Sequence, residues 1–349
     1  MAVPPATAAR RETPVRLPTV LGLLVLLLGA PAPAVAQATT PAAASPVPTG
    51  GDFAGPVDIG GGRRMYLECR GEGGPTVVLE AGYRNNAEVW DTVALPAGAA
   101  GDAVWPGVAA VTRVCAYDRP GTIGDLGHVS RSDPVPMPRT AGDIVSDLHR
   151  LLAAAQVPGP YVLVSHSLGG PVVRLYASTY PDEVAGLVLV DALPEGLWEG
   201  LQAALTPAQW DLYHQLSTQA PAGLEDYPEL EWVDFEESFA QVREAAATAP
   251  LRPMPLVVLS YGRPLQSEIP PDALTPDYPF DTFDRVRADH QRALATLVPG
   301  ARFVVASQSG HYIQIDQPEL VIEAVRQVVE AVRDPGMWAT PAASSSPAA

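Results

Sequence analysis

The chain of 349 residues contains no lysine: all 22 of its basic side chains are arginine, set against 39 acidic residues for a formal net charge of -17. A phosphate-binding loop needs a lysine followed by serine or threonine after its glycines, so the glycine pairs here belong to turns. Phosphate backbones are bound by cationic side chains that release counterions, and a chain this acidic is expected to have no nucleic-acid partner. Adsorption to anionic lipid is disfavoured on the same ground. Cysteine is scarce, with only Cys69 and Cys115, and nothing among the cysteines and six histidines has the spacing of a metal site. No cofactor is expected. No internal repeat is apparent, and the apolar run Val20 to Leu28 falls well short of the ~20 residues that a membrane span requires.

What is present at the ends reads as targeting and linker sequence. In residues 1–36, Arg10, Arg11 and Arg16 supply positive charge, Val20 to Leu28 an apolar core, and Ala34-Val35-Ala36 a small-residue cleavage site, the pattern of a secretory signal peptide. Cleavage leaves Gln37 first, so a secreted or extracytoplasmic protein without stable membrane insertion is expected; an uncleaved anchor is the other reading. The arginine pair also suits a twin-arginine export route. Residues 37–52, rich in Ala, Thr, Pro and Ser, have little to bury and read as a disordered linker, and residues 336–349 as a disordered tail.

The chain between could hold two average domains or one domain with an insertion. Val57 to Ile59, a Gly60-Gly61-Gly62 turn and Met65 to Cys69 predict a hairpin. Thr76 to Leu79, Thr112 to Tyr117, Tyr161 to Val164, Leu187 to Val190, Leu256 to Leu259 and Phe303 to Ala306 read as further strands. The last four are short apolar runs without alternation, the signature of strands buried on both faces. Between them lie helical faces such as Ile144, Leu148, Leu151 and Leu152, or Val321, Val325, Val328 and Val332. Strand and helix in alternation predict α/β architecture, a mostly parallel sheet flanked by helices. Residues 193–253 interrupt the rhythm with acids and scattered aromatics (Trp198, Trp210, Tyr213, Tyr227, Trp232, Phe235, Phe239) and read as an inserted helical lid or an ordinary helical layer. The core then comprises 53–192 and 254–335.

At Tyr161 to Gly170 a strand runs into Ser165-His166-Ser167-Leu168-Gly169-Gly170, and a helix follows with Pro171 in its first turn. Strand, tight turn and helix with small residues two positions either side of Ser167 resemble the nucleophile elbow of the α/β-hydrolase superfamily, with Ser165 where the G-x-S-x-G pattern has its first glycine. The resemblance covers about residues 53–333 apart from the insertion and implies an α/β-hydrolase fold with a serine nucleophile. Serine at the elbow disfavours the dehalogenase and epoxide-hydrolase branches, which use aspartate.

A serine hydroxyl needs a base, and the superfamily places its histidine on the loop after the last strand, where this chain has His311 following Ser307-Gln308-Ser309-Gly310, a flexible loop by composition. His290 falls within a helical run, His166 adjoins the nucleophile and reads as structural, and His128, His149 and His214 have no reason to converge on the elbow. The acid most often follows the strand that is here Leu256 to Leu259, but Ser260-Tyr261-Gly262-Arg263-Pro264 carries no carboxylate. The superfamily's other position, the end of the preceding strand, puts Asp191 forward, with Glu268 and Asp272 as downstream alternatives. Oxyanion donors are implied at the N–H of Leu168 and, in Glu80-Ala81-Gly82-Tyr83, at Tyr83. The superfamily's strand order also sets the strands of Cys69 and Cys115 side by side, so an exported chain would bond them. The function so implied is hydrolysis of a small-molecule carboxylic ester; a peptidase, C–C hydrolase or perhydrolase would use the same residues, and a non-catalytic binding protein would keep the fold alone.

Overall fold

The computed structural model describes residues 51–94, 101–124, 130–218, 229–269 and 278–338. The expected signal peptide and almost all of the expected linker lie outside these described residues, as do His128 and Asp272. The strands are β1 (Phe53–Gly60), β2 (Arg63–Arg70), β3 (Thr76–Glu80), β4 (Val114–Tyr117), β5 (Tyr161–His166), β6 (Val184–Val190), β7 (Leu256–Tyr261) and β8 (Arg302–Ala306). They form one sheet in the order β1-β2-β4-β3-β5-β6-β7-β8. β2 pairs antiparallel with β1 and β4, and every pairing from β4 to β8 is parallel. The helices are α1 (Val104–Ala109), α2 (Ala141–Ala154), α3 (Gly169–Thr179), α4 (Leu197–Ala204), α5 (Pro207–Thr218), α6 (Phe235–Thr248), α7 (Phe280–Leu294), α8 (Ile313–Asp316) and α9 (Pro318–Arg333). Among the described residues, no helix is long and apolar enough to cross a membrane.

Side chains on a strand alternate between faces, and β5 divides accordingly: Tyr161 and Leu163 join a core with Ile144 and Leu148 of α2 and Val172 of α3, while Val162 and Val164 join the opposite core with Val104 of α1 and Val325 of α9. Each fully buried valine or leucine contributes about 1.5–3 kcal/mol relative to exposure, so the non-alternating runs are held from both sides. β8 departs from that expectation. Among the described residues it lies at the sheet edge and pairs with β7 alone, leaving Val305 52% exposed.

The insertion between β6 and β7 holds α4, α5 and α6, but α6 packs on α2 and α3 as an ordinary covering layer. Gly336 to Trp338, placed in the tail by composition, belong to a short turn, with the Arg302 guanidinium 4.0 Å from the Trp338 ring centroid. Cys69 and Cys115 are directly opposed on β2 and β4 and form a disulfide.

Candidate active site

The elbow follows from close packing at three strand ends. Ser167 sits between β5 and α3 with φ at 52°, a region that costs a non-glycine residue about 1–3 kcal/mol and persists only where the surroundings enforce it. Its neighbours enforce it. A Cβ on Gly169 would stand 2.8 Å from the carbonyl oxygen of Glu80 and 3.1 Å from that of Ala81, and one on Gly170 would stand 2.5 Å from the Cβ of Ala192. The start of α3 therefore rests directly on the ends of β3 and β6, which only glycine permits. The Ser167 carbonyl accepts from the N–H of Gly170 at 2.9 Å and of Leu193 at 2.7 Å, tying the turn to the loop after β6. Ser165, in the motif's first small position, is fully buried, and its hydroxyl has no partner among the described residues.

Asp191 ends β6 with φ at 38°, a second left-handed non-glycine residue at a strand terminus. Its Oδ2 lies 2.6 Å from Nδ1 of His311. Its Oδ1 accepts from Arg287 Nη1 at 3.0 Å and from the Tyr261 N–H at 3.5 Å. A carboxylate only accepts, so Nδ1 of His311 carries a proton, and in the neutral imidazole the lone pair then lies on Nε2. Arg287, on α7, also donates to Ser260 Oγ and the Tyr261 carbonyl, both at 3.0 Å, and its guanidinium lies 3.4 Å from the Tyr261 ring centroid. Sequence reasoning missed this arginine, which stands 96 residues from Asp191 without a local motif.

The loop carrying His311, expected from its composition to be flexible, is tied at several points by hydrogen bonds. Gly310 N–H donates to Asp316 Oδ2, Gln308 N–H and Ser309 Oγ both reach Gln317 Oε1, each at 2.9 Å, and Arg263 N–H meets the Ser309 carbonyl at 3.0 Å. Glu268 is near, against the Cα side of Gly310, yet its carboxylate is bound by Arg263 at 2.8 Å.

His166 contributes in a way its position beside Ser167 does not announce. Its ring centroid lies 4.5 Å from that of His311, and its Nε2 lies 3.0 Å from the His311 carbonyl oxygen. A carbonyl only accepts, so Nε2 holds the proton and the second nitrogen faces Gly82 without a partner among the described residues. Burial pushes the imidazole well below the ordinary histidine range; the nearby His311 adds to the shift, and the hydrogen bond to its carbonyl opposes it. The buried ring thus bonds the backbone of His311 directly. The other described histidines lie elsewhere: His149 stacks on Tyr180, His214 packs against Trp198, and His290 bonds its own helix at Val286.

The loop after β3 meets the elbow from the other side. Gly82 is close enough to His166 that a Cβ would stand 2.7 Å from Nδ1. Neither the Tyr83 N–H nor the Leu168 N–H has a hydrogen-bond acceptor among the described residues. The Ser167 hydroxyl likewise makes no hydrogen bond among them, to His311 or any other group, and His311 keeps 41% of its side chain exposed.

The chain belongs to the alpha/beta hydrolase family, whose profile matches residues 77–324. An AB hydrolase superfamily protein of Gibberella zeae is 24% identical over 321 residues, 79% of this chain and 94% of that protein. A pyrethroid hydrolase of Sphingobium wenxiniae is 29% identical over 278 residues, 73% of this chain and 91% of the relative. Among solved structures, an N-acyl homoserine lactone degrading enzyme has a TM-score of 0.50 and 19% identity over 79% of this chain and 100% of its own. The haloalkane dehalogenase DatA from Agrobacterium tumefaciens has 0.50 and 17% over 81% and 97%. The structural likenesses define the fold; the chemistry must be argued from the site.

Proposed function

We propose that the protein is a serine hydrolase that cleaves a carboxylic ester through an acyl-enzyme intermediate, with Ser167 as nucleophile, His311 as base and Asp191 as the acid that orients it. The observation that carries this reading is the 2.6 Å contact between His311 Nδ1 and Asp191 Oδ2, beside a serine held at positive φ on a strand-to-helix turn. Asp191 fixes the tautomer that leaves Nε2 of His311 able to take the Ser167 proton. Ser167 Oγ then attacks the carbonyl carbon. The resulting oxyanion is received by the amides of Leu168 and Tyr83, and His311 returns the proton to the departing alkoxide. Water, deprotonated by the same imidazole, releases the acid and restores the hydroxyl. Serine at 167 sets this chain apart from hydrolases that attack with a carboxylate, and the pyrethroid hydrolase relative supports hydrolytic chemistry on this scaffold.

An apolar substrate group suits the surroundings. The Tyr83 ring meets Phe235 edge-on at 5.2 Å and Phe235 meets Trp198 at 5.4 Å; Trp198 also borders a cavity of about 410 Å³ whose wall mixes Trp210 and Phe239 with Glu199, Gln202, Glu236 and Arg243. We read the insertion as a lid on that side. The Cys69–Cys115 disulfide supports export through residues 1–36. Stopped-flow hydrolysis of p-nitrophenyl esters from acetate to laurate tests the proposal. The expected result is a burst of one nitrophenolate per chain and a higher kcat/KM for medium chains than for acetate; no hydrolysis above buffer with any ester would refute it.

A further inference from the structure

Behind the loop that carries Tyr83 lies a buried charged cluster for which the proposed chemistry has no direct use. Arg119, in the Asp118-Arg119-Pro120-Gly121 turn after β4, is 2% exposed, Glu80 is 0% and Glu231, from the insertion, is 2%. All five N–H groups of the Arg119 guanidinium are engaged. Nη1 donates to Glu80 Oε1 at 2.5 Å and to the Ala81 carbonyl at 2.9 Å. Nη2 donates to the Gly82 carbonyl at 2.7 Å and to Glu231 Oε2 at 3.1 Å, and Nε to Glu231 Oε1 at 2.6 Å. Glu231 Oε2 also accepts the Arg84 N–H at 2.6 Å, and the Glu231 N–H bonds the Gly121 carbonyl at 2.8 Å. Tyr117 donates its hydroxyl to the second oxygen of Glu80. Burial holds that phenol well above its ordinary range, with the Glu80 charge adding to the shift, so it remains a donor.

In a trans peptide the C=O and N–H point in opposite directions. Arg119 and, at 3.0 Å, the Asn85 N–H both donate to the Gly82 carbonyl, so the N–H of the Gly82–Tyr83 peptide must face away from them, and the Arg84 amide beyond it is turned back to Glu231. The Tyr83 N–H is therefore left pointing away from the guanidinium, and Gly82 itself packs against the elbow, where an added Cβ would stand 2.7 Å from His166 Nδ1. We infer that Arg119, clamped by Glu231 of the insertion, is the positioning residue that aims the Tyr83 N–H at the oxyanion, and that the insertion acts on the reaction through this clamp. The inference rests on the serine-hydrolase reading above. Lysine cannot replace the fork, since one ammonium cannot meet two successive carbonyls and two carboxylates at once.

The test compares Arg119→Lys and Glu231→Gln with wild type in p-nitrophenyl butyrate hydrolysis, in inhibition by a trifluoromethyl ketone that forms a tetrahedral adduct, and in urea unfolding. Arg119→Lys is expected to lower kcat about 100- to 1000-fold, the scale of one lost oxyanion donor, with KM within about three-fold. Affinity for the trifluoromethyl ketone should fall by the same factor as kcat/KM, a correspondence that a general loss of stability does not produce. Glu231→Gln weakens the clamp and the bond to the Arg84 N–H while leaving Arg119 in place, and is expected to cost about ten-fold in kcat with the same correspondence; it decides the matter should Arg119→Lys not fold. A folded Arg119→Lys or Glu231→Gln with wild-type kcat, or a kcat loss unmatched by lost ketone affinity, overturns the inference. A wild-type enzyme that hydrolyses no ester instead overturns the reading beneath it.

Discussion

Asp191→Asn is expected to lower kcat for ester hydrolysis about 10⁴-fold while leaving KM close to wild type, because the amide no longer holds His311 with its proton on Nδ1. The backbone there is already left-handed, which asparagine tolerates as well as aspartate, and the amide oxygen can still accept from Arg287. The fold should therefore survive, and circular dichroism with urea unfolding will separate lost chemistry from lost structure. Glu268→Gln is the matched control. Its carboxylate is occupied by Arg263, and kcat is expected to stay within about three-fold of wild type. The reverse order, with Glu268→Gln the more damaging change, would move the acid to the loop after β7.

Replacing both cysteines, as Cys69→Ala with Cys115→Ala, is expected to lower the free energy of unfolding by about 4 kcal/mol, from the chain entropy released when a loop spanning 46 residues is no longer closed. That is a large share of the roughly 5–15 kcal/mol that a domain possesses. Urea unfolding of the double variant against wild type measures it, and a difference under about 1 kcal/mol would show that β2–β4 pairing alone holds the two strands. The same experiment bears on the compartment: a bond contributing this much is useful only where it stays oxidised.

The sheet was legible in the sequence because its interior strands need apolar residues on both faces, and Tyr161 to Val164, Leu187 to Val190 and Leu256 to Leu259 supply them without interruption. The same rule misjudged β8, since an edge strand with one neighbour can be as apolar as a central one, and nothing in Phe303-Val304-Val305-Ala306 distinguishes the two. The elbow was legible from its small residues, which mark close backbone contact. Ser165 blurred the pattern and still satisfies it, since that position needs only a small side chain. His311 and Asp191 could be named from their places after strands, but the contacts that hold them could not. Arg287 reaches Asp191 across 96 residues, and Arg119 reaches Glu231 across 112. Each arginine looks locally like any surface charge, and only the folded chain removes it from water. The insertion reads from composition as a helical lid or an ordinary helical layer, and composition does not reveal its contacts: α6 covers α2 and α3, while Glu231 reaches the loop beneath Tyr83.

The central claim is that Ser167 is an activated nucleophile, and mass spectrometry after treatment with a fluorophosphonate tests it most directly. The account predicts one adduct per chain, mapped to the peptide containing Ser167, absent from Ser167→Ala and formed far more slowly in Asp191→Asn. An unmodified wild-type chain, or an adduct on another residue that persists in Ser167→Ala, would contradict it.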